Sequence, residues 1–250
     1  MNPRRALAVT RRLVLGVRHE PRELALVCGA PVVAVVVMGV LFLGREAYRA
    51  QWVFLDQFLP GVVGIVGFFL PALIAALSVF REKRDGTLDR LLTTPMRPGE
   101  VVGGHAAYYG AVSLFPAAAL TGLALSASPG ASALRVVLVF LSLELLAHSG
   151  AGLGFLLSMV RVPSRMVRGL PLAMLPVFLL SGALWPVAAM PVWLRPLSLL
   201  TPPYHALEAC RSLLPRGLGA PRIWPALVWL AGIGSSIWIA AALGLRRSRA

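Results

Sequence analysis

Charge is scarce in this 250-residue sequence, with only 14% of positions Asp, Glu, Lys or Arg. A water-soluble domain of this size carries about a quarter of its residues charged. With 58% hydrophobic residues and a mean hydropathy of +0.78, the chain holds more apolar surface than one core could bury, so lipid must cover much of it. Lysine is nearly absent: the single one, Lys83, is preceded by Glu82 and followed by Arg84. No Gly-x-x-x-x-Gly-Lys-Ser/Thr phosphate loop can exist around it, which excludes a P-loop ATPase on this chain. The two cysteines, Cys28 and Cys210, are too few and too far apart for a disulfide framework or a thiolate metal pattern. Acidic residues number 10 against 24 basic ones, a net charge of +14. The basic residues sit in short patches between long apolar runs, the pattern of charges flanking membrane spans rather than of a nucleic-acid-reading face. The four histidines (His19, His105, His148, His205) fall in four separate elements, with no His-Glu-x-x-His and no Gly-x-Ser-x-Gly. No catalytic or metal-ligating residue is therefore assigned.

What is abundant is apolar sequence in runs of about 20 residues, enough to cross a bilayer as a helix. Six can be read, at 24–44, 58–80, 104–127, 134–160, 170–189 and 223–245. The first is followed by Arg45 and Glu46 with no small-residue cleavage pattern, so it reads as a retained span, longer than the roughly 7–15-residue core of a secretory signal. With the N-terminus inside, the inner segments hold 17 Arg and Lys residues and the outer segments seven. That asymmetry places both termini in the cytoplasm of a multi-pass protein of the plasma or inner membrane. Trp52, Trp185, Trp193 and Trp224 fall at the predicted outer interface, as an aromatic belt does. Ahead of the first run, Arg4, Arg11 and Arg18 repeat at seven, as do Arg5 and Arg12, with Leu7, Leu13, Val14 and Val17 largely off that stripe. This reads as an amphipathic helix on the inner leaflet, ended by Pro21. The expected fold is all-α, one transmembrane domain over 1–250.

Two segments do not read as ordinary loops. Between the second and third runs, charges of alternating sign (Arg81, Glu82, Lys83, Arg84, Asp85) lead into Gly86-Thr87, a turn with Thr87 as N-cap. Leu88, Leu91 and Leu92 then make one apolar face of a short helix that Pro95 closes. Such a helix at the cytoplasmic surface lies on lipid or docks in a partner's groove, and its caps and apolar triplet favour docking. Between the fifth and sixth runs, Gly182, Trp185, Pro186, Pro191, Trp193, Pro202, Tyr204, Glu208 and Arg211 punctuate a stretch too apolar for a solvated loop and too proline-rich for a straight span. It reads as short, broken helices re-entering the outer leaflet, with Glu208 and Arg211 spaced to pair on one of them.

The first segment resembles the coupling-helix motif of type-2 ATP-binding-cassette (ABC) exporter permeases, and the second is similar to the signature those proteins carry before their last span. Order, length and span count agree with that family; one departure is Pro202-Pro203, where a single proline is expected. The resemblance implies a permease subunit that pairs with a second permease chain, the simplest case being a homodimer, and that moves a drug or an amphipathic, lipid-like molecule outward. It implies docking through Glu82, Gly86, Thr87, Leu88, Leu91, Leu92 and Pro95 onto a separate nucleotide-binding ATPase subunit. ATP and Mg would be held there and not on this chain.

Inside the fourth run, Glu144 and His148 lie four residues apart, on one helical face. Ionisable groups at that depth mark a pathway, a relay or a packing pair. A mutual hydrogen bond that fixes helix packing is the plain reading. A proton-coupled secondary transporter using the two is the rival one, and needs no ATPase. His105 is expected at the interface. Gly61, Gly64 and Gly67, and the Gly150–Gly154 pair, offer close helix approach within the chain or between chains.

Overall fold

A computed structural model describes residues 3–17, 29, 32–33, 36–37, 62–126, 132–159, 175–177, 179–183, 187–213 and 223–247. The predicted span 24–44 lies mostly outside these residues and 170–189 partly so, and Trp52, Trp185 and Pro186 lie outside them. Among the described residues every regular element is helical: α1 (Pro3–Val17), α2 (Val63–Arg84), α3 (Thr87–Thr93), α4 (Pro98–Ser126), α5 (Ala133–Ser158), α6 (Arg195–Ser198), α7 (Pro202–Leu213) and α8 (Trp224–Arg247). Four of them, α2, α4, α5 and α8, are long and apolar enough to cross a membrane.

α5 is the central helix, packed against α2, α4 and α8. Its seam with α2 is set by glycine. A Cβ at Gly154 would overlap the backbone carbonyl of Ala72, and one at Gly150 that of Phe68. The two backbones therefore touch, the close approach that small residues permit in membranes. The Gly-x-x-x-Gly spacing thus serves packing inside this chain. α2 opens with a π-helical turn, Val63–Phe69, in which the Leu70 N–H reaches back five residues to the carbonyl of Ile65. Pro71 follows directly and has no N–H to give, and a local π turn is how the helix absorbs the lost bond.

Two clusters of buried side chains mark the ends of the bundle. Val63, Leu123, Leu138, Val139, Ile223 and Leu227 gather at one end with Ala206, Leu207 and Cys210 of α7. Val9 and Leu13 of α1, Val79, Leu88, Val101, Val102, Ala241 and Leu245 gather at the other. α2, α5 and α8 thus run in one direction and α4 in the opposite one. Cys210 is buried in the first cluster.

Several boundaries differ from the apolar runs for one reason. α2 does not stop at Phe80 but continues through Arg81, Lys83 and Arg84, and α4 starts at Pro98, ahead of its apolar run. Cations in a last turn complement the partial negative charge of the helix end. At the start of α4, Glu100 accepts from the Arg97 N–H (3.0 Å), the reciprocal half of a capping box. The double proline at Pro202-Pro203 opens α7, where a missing N–H costs nothing.

Candidate functional site

The charged last turn of α2 is built around Glu82, whose side chain is only 12% exposed. Oε1 accepts from Nη2 of Arg12 on α1 (3.3 Å), and Oε2 faces Nε2 of His105 on α4 at 3.4 Å. His105 is fully enclosed, because α1 covers its end of α4. Its Nδ1 is held by the Val101 carbonyl (2.9 Å), and its ring meets Phe155 of α5 edge-on at 5.0 Å. Three helices are therefore tied at one carboxylate. Next to it, Lys83 Nζ donates to the Ser158 carbonyl, satisfying an open acceptor at the C-terminus of α5.

α1 is seated on the same end. Val9 and Leu13 bury against α4, and the Thr10 hydroxyl donates to the Gly104 carbonyl (3.0 Å). Arg5 donates to the Pro95 carbonyl (2.7 Å) and lies 3.8 Å from Glu100. The opposite face carries exposed Leu7, Val14 and Leu15 between the exposed Arg4 and Arg11. Of the apolar residues read as one group, Leu13 thus faces the bundle while Leu7 and Val14 face away.

Between α2 and α4, Asp85-Gly86 turns the chain. Gly86 sits at φ 68°, in the left-handed region, and is itself the N-cap of α3. Thr87 makes no capping bond, which corrects its expected role: it is already the first helical residue. At the far end Thr93 and Thr94 donate to the carbonyls of Arg90 (2.8 Å) and Leu91 (2.5 Å). The apolar triplet is divided. Leu88 is fully buried in this chain and Leu92 packs against the same cluster, while Asp89, Arg90 and Thr93 are exposed and Leu91 is half-buried. Pro95 is exposed beside Arg5.

The second predicted segment is a chain of short turns. Gly182 has φ 76°; a 3-10 turn covers Val187–Ala189, then α6 and α7 follow. Arg195 donates to the Met190 carbonyl (3.1 Å). His205 is bonded through Nε2 to the Leu199 carbonyl (2.7 Å) and stacks on Trp229 of α8. Pro191 and Trp193 are exposed, Pro202 is buried and Tyr204 half-buried. Glu208 is exposed on α7; the Arg211 side chain lies outside the described set, so the expected pair does too.

Glu144 and His148 share a face of α5 without bonding to each other. Glu144 Oε1 instead accepts from the Ser113 hydroxyl of α4 (2.7 Å). The His148 ring lies 5.3 Å from Trp238 of α8, whose Nε1–H donates to the His148 carbonyl (3.2 Å). Gly110 faces the imidazole from α4. The expected Glu–His packing bond is replaced by one bond across the α4–α5 seam. Sequence reading missed Arg12, His105 and Ser113 as partners. Only Ser113 carried a signal, as a hydroxyl within an apolar run.

These helices make a multi-pass membrane protein. The sequence model of the ABC-2 type transporter family matches residues 4–214. The chain is 32% identical over 187 residues to "ABC transporter G family member 20" of Dictyostelium discoideum, covering 71% of this chain and 25% of that protein. It is 27% identical over 184 residues to "Probable multidrug ABC transporter permease YbhR" of Escherichia coli K12, covering 72% and 50%. With "Inner membrane transport permease YhhJ" of the same strain it shares 25% identity over 197 residues, covering 75% and 51%. The chain belongs to the ABC-2 type transporter family, whose members are membrane transport permeases. It spans a quarter to about half the length of these relatives.

Proposed function

We propose that this chain is the membrane subunit of an ATP-driven exporter, carrying an amphipathic or lipid-like molecule or a drug outward across the plasma or inner membrane. The carrying observation is α3, a capped helix projecting from the basic end of the bundle between two spans. Leu88 anchors it to the permease, while Asp89, Arg90 and Thr93 point outward with the edge of Leu91. A partner ATPase that binds ATP and Mg reads that outward face. Through Glu82 a push on α3 reaches α1, α2 and α4 together.

The direction of the helices supports six spans. α1 lies at the basic end, yet Val63 starts α2 from the other end; Ser158 closes α5 at the basic end, yet Trp224 starts α8 from the other. One span at 24–44 and one at 170–189, with both termini cytoplasmic, suits that arrangement. The exposed Val192, Trp193, Leu199, Leu200 and Trp224 suit contact with the outer leaflet. A second copy of the chain completes a pathway between two such bundles.

The test is a search for an adjacent reading frame encoding a P-loop ATPase, followed by co-expression of the two chains and reconstitution in vesicles. ATP-dependent movement of an amphipathic fluorophore is expected. Gly86→Pro, which cannot take a positive φ, should leave expression intact and abolish ATP-dependent movement. Movement by the chain alone, driven by a proton gradient, would overturn the proposal in favour of a carrier using Glu144 and His148. Unimpaired transport by Gly86→Pro would remove the docking role of α3.

A further inference from the structure

Two polar atoms in the middle of the bundle are shut off from solvent and have no hydrogen-bond partner among the described residues: Glu144 Oε2 and His148 Nδ1. Buried polar groups in folded proteins are satisfied in the great majority of cases, and a lone carboxylate oxygen at membrane depth is costly to maintain. Packing does not account for it. Ser113 satisfies Oε1, and the imidazole packs on Trp238 while the hydrogen bond between α5 and α8 runs through the His148 carbonyl, which leaves Nδ1 without a donor among the described residues.

The surroundings point to what would satisfy both atoms. They lie one helical turn apart on one face, and the residue opposite His148 on α4 is glycine: even a methyl group at Gly110 would stand 3.5 Å from Nδ1. No α4 side chain covers the ring there, and the imidazole itself packs on the Gly110 backbone. The approach from the flank is apolar, with Leu141 one turn along α5 and Leu114, next to Ser113, both exposed. A carboxylate oxygen only accepts hydrogen bonds, and an imidazole nitrogen accepts one when it carries no proton. A head group with several N–H donors and a positive charge, on an apolar body, matches that set. An anionic head does not, and a hydroxylic head can donate to both atoms but leaves the charge of the carboxylate unmatched.

We propose that Glu144, His148 and Ser113 form a head-group subsite for amphiphiles bearing a protonated amine, entered from the membrane along the α4–α5 flank. This rests on the transport reading above and narrows its substrate to cationic amphiphiles. The two atoms are shut off in this conformation, and the neighbouring cleft that Ser113 lines with Val66, Ile74, Val112 and Pro116 has a volume of only about 20 Å³. That is room for no more than a single water. Opening falls to the backbone around that cleft, where Pro116 interrupts α4 and the π turn interrupts α2.

The purified full-length chain in detergent is titrated with a dansyl-labelled long-chain primary alkylammonium and with the matching dansyl alkyl alcohol. The wild-type chain should bind the ammonium at least tenfold more tightly than the alcohol. Glu144→Gln should bring the two within twofold, Glu144→Asp should retain part of the preference, and Ser113→Ala should weaken ammonium binding less than Glu144→Gln does. Melting temperatures report folding, and Glu144→Asp keeps the comparison informative if Glu144→Gln is unstable. No ammonium preference in the wild type, an undiminished preference in Glu144→Gln, or equal loss of both probes would overturn the subsite. Binding requires no ATP, so the two readings fail separately. Selective ammonium binding without ATP-dependent movement refutes the exporter and leaves the subsite standing, while ATP-dependent movement with no ammonium preference does the reverse.

Discussion

Substituting Gly104 by alanine should loosen α1 from the bundle without unfolding it, and the size of the effect follows from the contact. An added Cβ would stand 2.5 Å from Val9 Cβ and 2.8 Å from the Ala6 carbonyl oxygen. Neither is the tip of a flexible side chain, so the backbone of α1 has to move. Complete release would expose Val9 and Leu13, about 1.5–3 kcal/mol each against water. It would also break the Thr10–Gly104 hydrogen bond, worth about 1 kcal/mol. A sideways shift that accommodates one methyl costs about 1–3 kcal/mol. The shift is the cheaper response, so α1 should stay bound but open more often. At 1.4 kcal/mol per tenfold, amide exchange across 3–17 should accelerate roughly fivefold to 150-fold, with exchange in the middle of α5 unchanged. Gly122→Ala, on the same helix with nothing within 4 Å of the added carbon, is the control. Equal exchange in Gly104→Ala and the wild type, or the same acceleration in the control, would refute the reasoning.

Gly154→Ala should lower the thermal midpoint substantially, by more than Gly104→Ala does, since its methyl would overlap the Ala72 backbone; Gly244→Ala, in open space, should leave the midpoint in place. Lys83→Met removes the donor to the Ser158 carbonyl and should speed amide exchange only at the C-terminal turn of α5, a local loss of about 1 kcal/mol. His205→Ala should make residues 187–201 more sensitive to limited proteolysis, because the bond to the Leu199 carbonyl and the stacking on Trp229 hold them to α8. Glu82→Gln should weaken the attachment of α1 while α2 stays helical, read as faster exchange in 3–17 with unchanged circular dichroism.

The four long helices were legible because lipid imposes a length on apolar sequence that few other constraints blur. Their ends were less so. Counting apolar residues stops a span at Phe80, whereas the hydrogen-bond ladder continues through Arg81, Lys83 and Arg84, which the helix terminus favours. Periodicity announced an amphipathic α1 and an apolar face on α3, but a periodic stripe does not say what covers it. Leu88 and Leu13 turn inward and Leu7 outward because of a neighbouring helix that spacing along one segment cannot reveal. The same holds for Glu144: its spacing to His148 suggested a pair on α5, and the rotamer that reaches Ser113 depends on α4 standing beside it. The enclosure of His105 was not legible, because α1, distant in sequence, supplies the cover.

The backbone-to-backbone seam at Gly150 and Gly154 has a mechanical consequence. Two helices interlocked at that distance cannot slide past one another by a fraction of a turn without their carbonyls colliding, so α2 and α5 have to travel as one strut. Any rearrangement that opens a route through the membrane must then be taken up along the other seams of α5. The α4 seam is the softer candidate, with a proline at position 116 and a single hydroxyl–carboxylate bond between Ser113 and Glu144. A disulfide pinning α2 to α5 should therefore leave turnover intact, whereas one pinning α4 to α5 should arrest it.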